Sequence, residues 1–184
     1  FDVVPIPQAC TSQAARQHLP EVVRAWLGKG PNSPVVGFFG EARQDKGFCK
    51  LPSIIRETQR RGVPVRFLVS ASPSTLGDSA VARAIAELEA MSSERCLVHV
   101  NAHDRDVYGD LLATADVTIL PYDQATYCRK SSRVLVESLA AGRVVVVPAG
   151  TWLASECERF NAGALVSNDV VDGYVASLAA LGQH

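Results

Sequence analysis

The chain has 184 residues, 47% of them hydrophobic and 20% charged, with a formal net charge of −1. This length suits one well-packed α/β domain and is short for two. The nearly neutral charge argues against a protein that coats nucleic acid through charge alone, and it leaves room for one local basic site that binds a small anion.

The cysteine pattern indicates a reducing environment. The five cysteines are scattered, odd in number and never form a CxxC pair, so they favour a cytosolic protein over a disulfide framework or a zinc site. His18, His99 and His184 have no acidic or cysteine neighbours at ligand spacing, and we expect no metal site. No apolar run approaches the ~20 residues of a membrane span, and no signal peptide is visible.

The first 34 residues are predicted to be a linker with a packing helix. The chain begins at Phe1 in the β-like run "FDVVPIP" without a methionine, so we expect it to be a piece of a longer protein. The segment Gln8–Pro34 is polar and rich in proline, with a helical pattern over Glu21–Leu27. Residues 35–184 are predicted to form a single Rossmann-like domain.

Apolar runs alternate with amphipathic segments through the rest of the chain. The predicted strands are Val35–Phe39, Val65–Val69, Leu97–Val100, Val117–Leu120, Val144–Val147 and Ala164–Val166. The predicted helices are Leu51–Arg61, Ser79–Met91, Asp106–Thr114, Arg133–Ala141, Leu153–Phe160 and Val170–Leu181. This alternation predicts a doubly wound, mostly parallel sheet flanked by helices, with ligands beyond the carboxyl ends of its strands.

The loop after the first strand, "FFGEARQDKGF", is a candidate anion site. Gly40 stands at the strand exit, Gly47 closes the loop, and Arg43 and Lys46 are cationic. A glycine lets the backbone approach a ligand, and the cations can neutralise phosphate charge. The spacing matches neither a Walker loop nor a GxGxxG motif, and a turn with solvated charges explains the same residues.

The polar loop after the fourth strand leads into a helix that begins near Arg133. Ser131 or Ser132 is placed to cap this helix. A helix N-terminus presents unpaired N–H groups and partial positive charge, which Arg129 and Arg133 would increase. The corner is therefore a second candidate anion site.

Two interpretations of Glu137 remain open. It stands four residues after Arg133, so the two side chains can pair along the helix. Alternatively, Glu137 points into the cleft and accepts hydrogen bonds from ligand hydroxyls, as the acidic residue of a dinucleotide domain does with a ribose.

The loop "VNAHDRD" after the third strand offers His103 and Asp104 as catalytic candidates. Asp104 or Asp106 serves equally well as the cap of the next helix. No GxSxG motif is present to support hydrolase chemistry.

Four segments in this order resemble the C-terminal, nucleotide-sugar-binding half of a GT-B glycosyltransferase, and most nearly the retaining group 1 or family four. They are "GEARQDKG", "LLATADVTILPY", "VLVESLAAGRVVVVPAG" and "NAGALVSNDVVDGYVASLAAL". The resemblance runs from about Val35 to the C-terminus. The chain departs from the family at Glu41, where an arginine is usual, and at Arg129, where the first of two glutamates is usual.

The resemblance implies a set of donor-binding residues: Gly40, Arg43, Lys46, Arg129, Ser131, Ser132, Arg133 and Glu137. Lys46 and Arg43 would contact the donor's pyrophosphate, and the two serines and the helix N-terminus would bind the same group or the sugar. Glu137 would hold the ribose. The resemblance identifies no catalytic residue.

The implied enzyme is a bacterial, cytoplasmic glycosyltransferase that moves a sugar from a nucleotide diphosphate with retention of configuration. It would need no metal and no other cofactor, and would associate with a membrane only peripherally. A saccharide or lipid-linked acceptor would be held mainly by an N-terminal domain, and "FDVVPIP" resembles the crossover between the two. A non-catalytic sugar-nucleotide-binding module and a Rossmann-type oxidoreductase are the alternatives; the missing GxGxxG motif counts against the second.

Overall fold

A computed structural model describes residues 17–73, 78–167 and 170–181. Within these ranges six parallel strands form one sheet in the order β3-β2-β1-β4-β5-β6. The strands are Val35–Ala42 (β1), Arg66–Pro73 (β2), Cys96–Val100 (β3), Val117–Ile119 (β4), Val144–Pro148 (β5) and Gly163–Val166 (β6). The predicted doubly wound parallel fold is confirmed.

Helices connect the strands. They are Glu21–Lys29 (α1), Leu51–Arg60 (α2), Ser79–Ala90 (α3), Arg105–Thr114 (α4), Gln124–Tyr127 (α5), Arg133–Ala140 (α6), Trp152–Phe160 (α7) and Val171–Leu181 (α8). Helix α5 was not predicted, because its four residues show no apolar period. The Asp123 carboxylate starts it by accepting a hydrogen bond from the Thr126 N–H at 2.7 Å.

The core consists of two apolar layers, one on each face of the sheet. Val36 and Phe38 of β1 pack in the layer that contains α2, α3 and α8, whereas Val35 and Phe39 pack in the layer that contains α1, α4, α6 and α7. Successive side chains of a strand point to opposite faces, so an apolar strand contributes to both layers. This explains why the strands are apolar almost throughout.

Helix α1 is fixed to the sheet by a buried arginine. The Arg66 guanidinium lies 3.8 Å from the centre of the Trp26 ring, and it donates to the backbone carbonyls of Trp26 and Glu94. The side chain is only 3% exposed, and this burial lowers the pKa of Arg66. The carbonyl end of a helix carries partial negative charge, which suits a cation there. Residues 1–16, including "FDVVPIP", lie outside the described residues.

Candidate functional site

A cleft of about 410 Å³ opens at the carboxyl ends of the strands. The chain leaves β1 for a helix in one layer and leaves β4 for a helix in the other. In doubly wound sheets, ligands bind at such a switch point. The cleft is lined by Gly40, Glu41, Lys46, Ser70, Ala71, Ser72, Asn101, His103, Asp104, Arg105, Tyr108, Arg133, Val134 and Glu137.

Gly40 lies near the end of β1, where the first wall of the cleft begins. Its φ of +113° lies in a region that favours glycine. A Cβ at this position would lie 3.4 Å from Val134 Cγ2 and 3.8 Å from Lys46 Nζ. The lysine ammonium and the first turn of α6 therefore meet over Gly40.

Gly47 has a different role from the one suggested by its place in a candidate anion loop. It does not line the cleft; its φ is +69°, and a Cβ there would lie 1.8 Å from the carbonyl oxygen of Pro121. The Asp123 N–H also donates to the Asp45 carbonyl at 2.9 Å. Gly47 thus lets the loop after β1 pack against the exit of β4.

Lys46 is the cation of the first wall. Its side chain is 16% exposed, and its Nζ lies 3.1 Å from Oε2 of Glu41. The same carboxylate oxygen accepts from Arg43 Nη1 at 3.2 Å. The hydrogen bond from Lys46 is the main cause that lowers the pKa of Glu41. Glu41 therefore holds both cations of the loop.

Arg43 is not brought into the cleft. Its Nε donates to Oδ1 of Asp45 at 2.8 Å and its Nη2 donates to Oδ2 at 2.5 Å, a bidentate pair that raises the pKa of Arg43. Lys130 Nζ lies 3.8 Å from the same carboxylate. Acidic residues of the same loop therefore pair with Arg43, the cation that was predicted to contact the pyrophosphate.

The N-terminus of α6 is capped by Ser132. The buried Ser132 Oγ accepts from the Leu135 N–H at 3.2 Å and donates to Tyr122 Oη at 3.4 Å. This decides between the two serines predicted as the cap. Ser131 and Arg129 are exposed and do not line the cleft.

The structure shows the Arg133–Glu137 pair and places Glu137 in the cleft lining, while its role toward ligand hydroxyls stays a prediction. Arg133 Nε donates to Glu137 Oε1 at 2.7 Å, and both residues line the cleft. Arg133 is 81% exposed and Glu137 is 28% exposed. The arginine side of the pair therefore reaches solvent, whereas the carboxylate is held in the wall of the cleft.

The opposite wall is built by the loop after β3 and by α4. Asp104 caps α4, because its Oδ1 accepts from the Val107 N–H at 2.9 Å, and it also lines the cleft. The His103 ring stacks on His99 with centroids 4.9 Å apart. Burial lowers the pKa of both histidines, so the neutral imidazoles are favoured near pH 7.

Two buried polar atoms in this wall have no hydrogen-bond partner among the residues the structure describes. They are Nε2 of His103 and Oη of Tyr108. Burial and the nearby Glu137 carboxylate raise the pKa of Tyr108, so its hydroxyl stays protonated. Buried polar groups are normally paired, so these two atoms are exceptions in the wall of the cleft.

Sequence reasoning missed several lining residues: Ser70, Ser72, Asn101, Arg105 and Tyr108. The signal for Ser70, Ser72 and Asn101 was available, because polar residues at the ends of predicted parallel strands share one edge of the sheet. No sequence signal pointed to Tyr108, since an aromatic residue in a helix usually indicates packing in the core.

The described residues contain no group of three or more side chains that could hold a metal ion. Among the same residues, no helix combines the length and apolar character needed to cross a membrane.

Solved structures with the same fold include several sugar-phosphate synthases. An α,α-trehalose-phosphate synthase (UDP-forming) from Burkholderia xenovorans, in complex with glucose-6-phosphate, matches with a TM-score of 0.62 at 17% identity over 86% of this chain. A sucrose-phosphate synthase from Thermosynechococcus elongatus matches with a TM-score of 0.63 at 18% identity over 89% of this chain. A UDP-forming trehalose-phosphate synthase from Burkholderia vietnamiensis gives 0.68 at 14% identity over 86%.

The chain spans 37% of the length of each of the two Burkholderia proteins and 39% of the Thermosynechococcus protein. These neighbours are GT-B glycosyltransferases, and the likeness shows that this chain has the fold of one part of them. No protein-family model and no curated protein matches the sequence. The assignment to family four stays a prediction.

Proposed function

We propose that the chain is the donor-binding domain of a retaining glycosyltransferase that takes its sugar from a nucleotide diphosphate. The main observation behind this proposal is the cleft at the switch point, where Lys46 and the capped N-terminus of α6 meet over Gly40. A compact anion fits such a corner because an ammonium and free N–H groups face it together. The shared fold with sugar-phosphate synthases supports this choice of ligand.

In this proposal the diphosphate binds beside Lys46 and the first turn of α6. Negative charge increases on the diphosphate as the bond to the sugar breaks. A fixed ammonium and a helix N-terminus stabilise that charge without reorganising, and this favours the transition state. No metal is required for this role.

Glu137 would accept hydrogen bonds from the ribose hydroxyls. Its carboxylate is partly buried and its arginine partner is almost fully exposed, so Arg133 can swing aside while Glu137 stays in the wall. His103 and Tyr108 line the same cleft and would bound the space that the rest of the ligand occupies.

The acceptor, a saccharide or a lipid-linked saccharide, would bind mainly to an N-terminal domain that closes over the cleft. We place the enzyme in the cytoplasm or at the cytoplasmic face of a membrane. Family four membership is part of the same proposal.

A thermal-shift panel of UDP-, GDP-, ADP- and CMP-sugars tests the proposal. Binding to the native state raises the unfolding temperature, so a selective increase identifies the donor class. Lys46→Ala and Glu137→Ala should abolish the shift. Lys29→Ala, an exposed lysine of α1, and Glu156→Ala, an ion-paired acid of α7, are matched controls that should retain it. A wild-type chain that responds to none of the sugars overturns the proposal.

The alternative is a non-catalytic sugar-nucleotide-binding module, which the departures from the family pattern at Glu41 and Arg129 favour. The full-length protein separates the candidates: a module binds the sugar nucleotide but shows neither transfer nor slow donor hydrolysis. NAD in the same panel tests the oxidoreductase alternative.

A further inference from the structure

We infer that Glu41 is a built-in competitor for Lys46 and sets how tightly the cleft binds phosphate groups. The inference rests on the proposed function, in which Lys46 binds the diphosphate. Glu41 lines the same cleft, and its carboxylate occupies the ammonium that a phosphate would use. A ligand must displace this carboxylate before it gains the full contact with Lys46.

Glu41 has a second partner, Arg43, with which it can stay paired when Lys46 binds a ligand. Oε2 of Glu41 lies 3.1 Å from Lys46 Nζ and 3.2 Å from Arg43 Nη1. Arg43 is held in place by its two bonds to Asp45. Lys46 can therefore turn to a phosphate while Glu41 remains paired with Arg43, so the exchange leaves no carboxylate unpaired.

The different exposure of the two partners makes the competition effective. Lys46 is 16% exposed, whereas Glu41 is 45% exposed. Little water reaches the Lys46 ammonium. When Lys46 loses Glu41, another anion must therefore take the place of that carboxylate. The glutamate is partly exposed, but its hydrogen bond from Arg43 keeps the carboxylate beside Lys46. A phosphate that approaches Lys46 therefore meets the negative charge of Glu41, which weakens binding.

The net charge of the cleft lining also indicates that Glu41 limits phosphate binding. Its lining includes three acidic residues, Glu41, Asp104 and Glu137, and three basic residues, Lys46, Arg105 and Arg133. The cleft is formally neutral when the histidine is uncharged, so it does not attract a polyanion strongly at long range. Replacing the Glu41 carboxylate with a neutral group leaves the cleft lining with a net positive charge.

The test is isothermal titration of UDP and of inorganic pyrophosphate into the wild-type chain, Glu41→Gln, Lys46→Gln and the double variant. We expect Glu41→Gln to bind both probes about tenfold more tightly, equivalent to about 1.4 kcal/mol. Relative to Lys46→Gln, the double variant should lose most of this gain, because the competitor acts mainly through that lysine. Glu89→Gln, an exposed acid on α3, removes the same charge outside the cleft and should leave both affinities unchanged.

The outcomes separate this inference from the proposed function. If the wild-type chain binds UDP and Glu41→Gln binds it equally well, the function stands and the inference is overturned. If the wild-type chain fails to bind UDP while Glu41→Gln gains pyrophosphate affinity through Lys46, the inference stands and the function is overturned. A gain that persists in full in the double variant also overturns the inference, and thermal unfolding of each variant confirms that it folds.

Discussion

Gly47 and the carbonyl oxygen of Pro121 approach so closely that a Cβ on Gly47 would lie 1.8 Å from that oxygen. This contact joins the loop after β1 to the exit of β4, the two strands at the switch point. It sets the position of Lys46, the neighbour of Gly47 in the chain, against the first turn of α6. The cleft therefore depends on a glycine that does not line it.

Gly47→Ala should destabilise the chain far more than Gly62→Ala. Both glycines have positive φ, +69° and +67°, but Gly62 has no atom within 4 Å of its missing Cβ. Gly62→Ala should cost about 1 kcal/mol from backbone strain. Gly47→Ala adds a backbone clash and should exceed it by about 2 kcal/mol in urea unfolding. Equal losses would show that the loop contact is dispensable.

Arg66→Lys should lower the free energy of unfolding by about 2–4 kcal/mol. A lysine cannot stack flat on Trp26, and its compact ammonium cannot reproduce the planar fork that donates to the carbonyls of Trp26 and Glu94 from that position. The exposed Arg24→Lys on α1 is the control and should change stability by less than about 0.5 kcal/mol. Urea unfolding followed by tryptophan fluorescence measures both. If Arg66→Lys loses no more unfolding free energy than the control, Arg66 does not fix α1 to the sheet.

Ser132→Ala should cost about 1 kcal/mol of stability, because it removes the cap of α6 and the hydrogen bond to Tyr122. Ser131→Ala is the matched control, since that side chain is exposed and does not cap the helix. Denaturant unfolding of the two single variants compares them directly. If they prove equally stable, Ser132 is not the cap in solution.

Stability should fall as the pH decreases below about 6.5. Burial lowers the pKa of His99 and His103 below the ordinary histidine value of about 6.5. The unfolded chain therefore binds protons in this range before the native chain does, and each bound proton favours unfolding. The loss ends once the pH is below the native pKa. Glu41, Asp78 and Asp123 have lowered pKa values and act in a separate range, below about pH 4.5, also with a loss of stability on acidification.

His103→Asn tests this assignment through urea unfolding at several pH values between about 5 and 7. We expect a smaller slope of unfolding free energy against pH than in the wild-type chain. Ser131→Ala, which changes an exposed side chain without a titratable group, is the control and should retain the wild-type slope. An unchanged slope in His103→Asn would place the titrating group elsewhere.

Local sequence patterns predict the helices, the strands, the class of fold and the helix caps of this chain. Strand and helix periods depend on neighbouring residues, so the alternation predicted the doubly wound sheet, and the β5 and β6 runs lie within a residue of their predicted positions. A helix cap also acts within one turn. The cap of α6 was predicted to be one of two adjacent serines, and the cap of α4 to be Asp104 or Asp106. The Arg133–Glu137 pair follows from the same spacing.

The tertiary structure assigns the partners of the two cations in the loop after β1 and places only one of them in the cleft. Arg43 and Lys46 stand in one loop with Glu41 and Asp45, and sequence gives no basis for assigning partners among them. The fold directs Arg43 to Asp45 and Lys46 into the cleft. It also brings Tyr108 opposite Glu137 and Gly47 against Pro121, contacts between residues far apart in the chain. Such contacts depend on how the strands order themselves in the sheet, and no local pattern encodes that order.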